Sequence, residues 1–211
     1  MDAIAAILAG GRSTRMGRPK AAIKLANHAL ISYPIAAAQA AGLERVVVAK
    51  RGSELPTVYC PVVEEPDQPE HPLLGIVTAL RHERGPVLAL GCDMPFVDEK
   101  LLAWLASHLE TTVPEVGGRL QPLLARYGHE DLELLEAALE RGDALGDAVL
   151  DLRPKIVTEA ELTRFGDPER LSFNVNTPAD LSEAERIFED LARQVPSVMR
   201  AEAEAEADAA R

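Results

Sequence analysis

Apolar, β-branched runs bounded by turn residues recur through the first half of the chain, and between them leucine and alanine repeat at helical spacing. The runs predict strands at residues 3–9, 45–49, 58–63 and 87–91. The intervening segments predict helices at 30–41, ending at Gly42, and at 73–82, ending before Gly85 and Pro86. A third, at 98–109, opens on Asp98 as N-cap and sets Leu101, Leu102, Leu105 and Leu109 on one face. Such alternation marks an α/β fold: a single doubly wound, mostly parallel sheet flanked by helices. Ligands of these sheets bind beyond the carboxyl ends of the strands, here the residues after Ala9, Val63 and Gly91.

The second half is less regular. Gly117 and Gly118, between apolar runs at 113–116 and 120–127, predict a hairpin, and helices follow at 131–141 and 144–151. A last strand at 172–175 leads into a helix at 178–192, with Thr177 as N-cap and Pro178 at its first position. Residues 1–195 read as one domain. Residues 196–211, largely alternating Ala and Glu, read as an acidic tail that is either a solvated helix or disordered.

Composition narrows the picture. With 47% apolar but only 4% aromatic residues, the core has to be aliphatic, which suits helices on a parallel sheet. No segment approaches the roughly 20 apolar residues that span a bilayer, and the acidic start running into Gly10 and Gly11 reads as a buried strand, not a signal peptide. A cytoplasmic protein with no membrane partner is expected. Cys60 and Cys92 form no CxxC pair and have no His-rich partner segment, so neither a disulfide framework nor a structural zinc site is indicated. A net charge of −12 argues against nucleic-acid binding. Its distribution matters more, because residues 3–43 contain no Asp or Glu while Arg12, Arg15, Arg18, Lys20 and Lys24 cluster there as a cationic island.

Three segments carry candidate chemistry. LAGGRSTRMGRPK, at residues 8–20, follows the first strand directly. Its glycines, Gly10 and Gly11 among them, let backbone amides approach an anion, and Arg15 and Lys20 supply the positive charge a triphosphate requires. It is neither a Walker A loop nor GxGxxG. GCDMPF, at 91–96, ends an apolar strand in Asp93, a carboxylate placed as a Mg²⁺ ligand would be; with Asp98 filling the helix cap, Asp93 has no structural task of its own. FNVNTPADL, at 173–181, sets Asn174 and Asn176 on one face if it is a strand, although turn asparagines before a helix are the plainer alternative.

Together with PLLGI at 72–76 and QPLLARY at 121–127, these segments resemble the molybdenum cofactor guanylyltransferase family over nearly the whole chain. That family is a branch of a superfamily that also holds sugar-phosphate and terpenoid-precursor nucleotidyltransferases. The resemblance implies the nucleotide-diphospho-sugar transferase type of fold, GTP and a molybdopterin form of the cofactor as substrates, Mg²⁺ as the metal, and the guanine dinucleotide cofactor and pyrophosphate as products. Molybdenum cofactor insertion proteins or apo-molybdoenzymes are the implied downstream partners.

Carried over by residue, the resemblance sets Leu8, Ala9 and Gly10 against the guanine, Lys20 on the phosphates, and Asp93 on both GTP and Mg²⁺. Glu65 stands where the family usually has an Asp that contacts the nucleotide, Ala49 where some members have a contacting Asn, and His71-Pro72-Leu73 where a GPL turn is common. In-line attack by a terminal phosphate oxygen on the α-phosphorus is expected, with Arg15 near the leaving pyrophosphate and Asn174 and Asn176 orienting water or acceptor. The alternatives are a CTP-dependent cytidylyltransferase, another small-molecule nucleotidyltransferase, and a non-enzymatic nucleotide- or pterin-binding module.

Overall fold

The computed structural model describes residues 3–10 and 19–194. Its centre is a sheet whose strands are β1 (Ile4–Leu8), β4 (Arg45–Lys50), β5 (Val62–Glu65), β6 (Val87–Gly91), β7 (Thr112–Val116), β9 (Leu124–Tyr127) and β10 (Lys155–Val157), ordered β10-β7-β9-β6-β1-β4-β5. Pairing is parallel throughout except at β9, which runs antiparallel to both neighbours, and at the short β8 (Arg119–Leu120), which folds back on β7. A separate two-stranded hairpin joins β2 (Lys24–Leu25) to β3 (His28–Ala29).

Helices α1 (Ser32–Ala40) and α3 (Glu99–Ala106) cover one face, where Ile7, Val47, Leu88 and Leu90 pack with Leu101, Leu102 and Leu105. Helices α2 (Pro72–Glu83), α4 (Leu132–Arg141) and α5 (Leu145–Asp151) cover the other, where Ala6, Val46, Val48 and Ala89 pack with Ile76, Leu80, Leu135 and Val149. Successive residues of β1 and β4 thus serve opposite layers, so strands buried on both faces read as continuous apolar runs. After α6 (Glu159–Leu162) and α7 (Pro168–Leu171), the long α8 (Pro178–Gln194) closes the domain. It packs through Ala184 and Phe188 on Val175, Leu25, Leu30 and Tyr33.

Several expectations are corrected. The strand expected at 58–63 begins only at Val62, because Pro61 has no N–H for the ladder; Val47 N–H bonds to the Pro61 carbonyl, and pairing then runs on through Glu64 and Glu65. The run at 120–127 is broken by residues 121–123, so the glycine hairpin, with both glycines at positive φ, leads into two short strands. Residues 172–175 are not a strand. They cross the end of the sheet, where Val175 N–H bonds to the Asp93 carbonyl at 2.9 Å. Helix α3 stops at Ala106, and Leu109, expected on its buried face, is 90% exposed.

Candidate functional site

The carboxyl ends of β1, β4, β5 and β6 meet at one edge of the sheet, and of the residues singled out from the sequence Leu8, Gly10, Lys20, Glu65, Asp93 and Asn176 gather there. Leu8 ends β1, and its carbonyl accepts from Cys92 N–H at 3.2 Å, tying the first loop to the β6 turn. Gly91 closes β6 where a Cβ would come within 2.7 Å of Asp93 Oδ1, so the missing side chain lets the turn fold Asp93 back over the strand end. Asp98 caps α3 by accepting from the amides of Lys100 and Leu101, the task expected of it, and Asp93 is left for other work.

Lys20 lies in a 3₁₀ turn just before β2, and its ammonium joins the first and last motifs. Nζ donates to Asp93 Oδ2 at 2.7 Å and to Asn176 Oδ1 at 2.5 Å, across 73 and 156 residues of sequence. The side chains are 24% exposed at Lys20 and 12% at Asp93, so the pair is largely desolvated yet reachable. Asn176 is held in turn. Asp180, in the first turn of α8, accepts from the amides of Asn176 and Thr177 at 2.9 and 2.8 Å, while Thr177 Oγ1 accepts from Asp180 N–H, a reciprocal cap. Burial would raise the Asp180 carboxyl, but these amides and the Lys20 charge outweigh it and hold the group below the usual range.

The Asn174 side chain does not reach Lys20, although the Asn174 backbone carbonyl accepts from Asn176 Nδ2 at 3.4 Å. The Asn174 side-chain amide nitrogen donates to the Ser172 carbonyl, so the strand geometry that would have aligned the two asparagines is absent. Cys92 is buried, and burial together with the Asp93 charge pushes its thiol well up, which makes it a neutral neighbour and not a nucleophile. Gly11 and Arg15 lie outside the described residues, as do Arg12 and Arg18.

Glu65 forms a second corner at the same edge. It ends β5, buried, beside Lys50 at the end of β4. Its carboxylate occupies the space a side chain at Gly10 would need: a Cβ there would collide with Oε1. A Cβ at Gly75 on α2 would stand 3.2 Å from Oε2. Burial pushes the Glu65 carboxyl above the ordinary glutamate range, and the Lys50 charge opposes the shift. Lys50, Gly75 and Asp180 were not singled out from the sequence. Asp180 has a legible signal, standing three residues after Thr177 as the acid of a capping box. Lys50 and Gly75 have none, because their roles follow from the register of β5 and the seating of α2.

Among the described residues no cluster of three or more His, Cys, Asp or Glu is placed to hold a metal. Two oxygen atoms, Asp93 Oδ2 and Asn176 Oδ1, nonetheless converge on one cationic position, now the Lys20 ammonium. Such an oxygen set suits Mg²⁺, which commonly takes one or two carboxylates and fills its shell with phosphates and water.

Residues 5–155 match the family described as the MobA-like NTP transferase domain. The chain belongs to this family. It is therefore a nucleotidyltransferase, and its relatives are informative. A probable molybdenum cofactor guanylyltransferase of Carboxydothermus hydrogenoformans is 31% identical over 190 residues, covering 87% of this chain and 95% of the relative. Another, from Pelotomaculum thermopropionicum, is 32% identical over 201 residues, covering 90% and 95%. The crystal structure of molybdopterin-guanine dinucleotide biosynthesis protein A from Archaeoglobus fulgidus superposes with a TM-score of 0.72 at 26% identity, covering 88% of this chain and 98% of that one. The 2-C-methyl-D-erythritol 4-phosphate cytidylyltransferase of Thermus thermophilus, at TM-score 0.65 and 21% identity, shares the fold. No helix among the described residues is long and apolar enough to cross a membrane.

Proposed function

We propose that this nucleotidyltransferase is a cytoplasmic enzyme that transfers GMP from GTP to the molybdopterin form of the molybdenum cofactor, with Mg²⁺, and releases pyrophosphate. The observation that carries the reading is the convergence of Lys20, Asp93 and Asn176 at the carboxyl edge of the sheet. An ammonium has three N–H groups. Two are engaged by Asp93 and Asn176, which leaves the third for a phosphate oxygen and would release the other two to the phosphates if those oxygens turned to Mg²⁺.

The reaction is a displacement at the α-phosphorus. A terminal phosphate oxygen of the pterin forms the new P–O bond, the bond from the α-phosphorus to the α,β-bridging oxygen breaks, and pyrophosphate leaves with that electron pair. The nucleophile is already an anion, so no general base is required. Lys20 neutralises charge on the phosphates and orients them; Asp93 and Asn176 would hold Mg²⁺, which when bound supplies further neutralisation of phosphate charge. Asp180 acts one step removed, fixing Asn176.

The choice of guanine rests on Glu65. An ionised carboxylate only accepts hydrogen bonds, and guanine presents two adjacent N–H donors on its pairing edge where cytosine presents one amino group beside acceptors. Glu65, packed against Gly10 at the end of β1, is the acceptor for that edge. The test is to incubate the protein with Mg²⁺, the pterin cofactor and either α-labelled GTP or α-labelled CTP. Label is expected in the dinucleotide with GTP, with stoichiometric pyrophosphate. Preference for CTP overturns the guanylyl reading, and no pyrophosphate from either nucleotide overturns the transfer.

A further inference from the structure

Lys50 is a half-buried cation that the proposed reaction leaves unused. It ends β4 in register with Glu65, and the two side chains are 12% and 8% exposed. Its ammonium donates to the Pro66 carbonyl at 3.0 Å and the Asp67 carbonyl at 2.9 Å, and stands 3.6 Å from Glu65 Oε1. Two of its three N–H groups therefore pin the turn that follows β5. The ammonium stands farther from the carboxylate than from either carbonyl, so Lys50 acts on Glu65 chiefly through its charge.

A glutamate in this place has a difficulty an aspartate would not. The extra methylene adds a torsion, and a buried carboxylate with that freedom turns toward water or takes up a proton unless something holds it. Gly10 and Gly75 open a slot for the longer side chain, and Lys50 is the charge at its end. Of the described residues around the carboxylate, α2 contributes Gly75 and the end of β1 Gly10, and the charge that acts on it is Lys50.

We propose that Lys50 is a positioning residue for the nucleotide: it anchors the turn after β5 and holds the Glu65 carboxylate between Gly10 and Gly75 with its lone pairs presented to the base. The inference rests on the reading of Glu65 as the guanine contact. Lys50 does not touch the nucleotide; it acts through Glu65.

The experiment compares wild type with Lys50→Met, Glu65→Gln and the double variant, using calorimetric binding of GTP with Mg²⁺, the KM and kcat of transfer, and the pH dependence of GTP affinity. Lys50→Met is expected to weaken GTP binding about tenfold, through KM with kcat within about twofold, because the Glu65 carboxylate loses the cation that favours and holds its ionised form. The double variant should bind GTP no worse than Glu65→Gln alone. The acid limb of GTP affinity should move to higher pH in Lys50→Met, because the lost cation no longer favours the ionised carboxylate, and should vanish in Glu65→Gln. A purely structural lysine would not move that limb. Lys50→Arg keeps the charge and should leave the limb near its wild-type position, which keeps the test open if the Met variant folds poorly. If Glu65→Gln weakens GTP but Lys50→Met shifts neither affinity nor the limb, or if the two penalties add, the role of Lys50 is overturned while the base contact stands. If Glu65→Gln leaves GTP affinity unchanged, the base contact fails and the Lys50 proposal fails with it.

Discussion

Two lysine–carboxylate pairs stand at the same edge of the sheet, and they are built in opposite ways. Lys20 reaches Asp93 at 2.7 Å from a 3₁₀ turn beyond the glycine-rich loop, spanning 73 residues of sequence. Lys50 faces Glu65 at 3.6 Å from the adjacent strand, with its other protons spent on backbone carbonyls. The first pair is closed by side chains alone, so its members would be free to exchange partners in the proposed binding of phosphate and metal. The second is pinned to backbone and can only hold a geometry. We take this as a division of labour at one sheet edge, with charge handling where partners are mobile and recognition where they are fixed.

The largest effect is expected at Asp93. Asp93→Ala is expected to lower kcat by roughly a thousandfold or more, the scale of removing a key electrostatic group in phosphoryl chemistry. The fold should survive, since the contact to Val175 uses the Asp93 backbone carbonyl. Pyrophosphate release and thermal melting report the two arms, and near-normal Mg²⁺-dependent turnover would falsify the metal assignment.

Lys20→Ala should come next, costing about 2 to 5 kcal/mol in kcat/KM for GTP, because the proposed ammonium to phosphate contact would be lost while Asp93 is left without its partner. Steady-state kinetics over a range of GTP concentrations measure it. An unchanged kcat/KM moves the triphosphate elsewhere.

Gly10→Ala tests the second corner. The new Cβ and the Glu65 carboxylate cannot share the space, so the carboxylate must leave its slot, at a cost of roughly 1 to 3 kcal/mol seen mainly in the KM for GTP. The Glu65→Asp background, one methylene shorter, should absorb part of that penalty. Equal penalties in both backgrounds would mean that Gly10 serves the loop and not Glu65.

The smallest effect is on pH dependence. The folded carboxyl of Glu65 titrates above the ordinary value of about 4.3, so as pH falls from neutral it takes up its proton earlier than an exposed glutamate and GTP affinity declines earlier. For stability the sign is opposite. A raised folded value means that the ionised group disfavours the fold, so its contribution is most favourable below the unfolded value and is lost as pH rises through the folded one. Glu65→Gln should flatten both curves, and an affinity limb that survives in that variant belongs to another group.

The parallel half of the sheet was legible because strands buried on both faces write their burial into continuous apolar runs: β1, β4 and β6 stand within a residue or two of the expected bounds. Lys20 and Asp93 could be singled out too, since a charge beside a glycine-rich loop or at a strand end carries a chemical reason visible without coordinates. The three-residue β10, the late start of β5 and the crossing path of residues 172–175 were not legible, because short segments take their conformation from neighbours distant in sequence. The fold class follows from the order and burial pattern of the elements along the chain, and the candidate residues from their chemistry there. Tertiary structure alone decided that Asn176 and not Asn174 meets Lys20, that Gly10 gives its space to Glu65, and that Lys50 faces that carboxylate. Composition and spacing act along the chain, whereas register, burial and the approach of two charges are set only when strands far apart in sequence lie side by side.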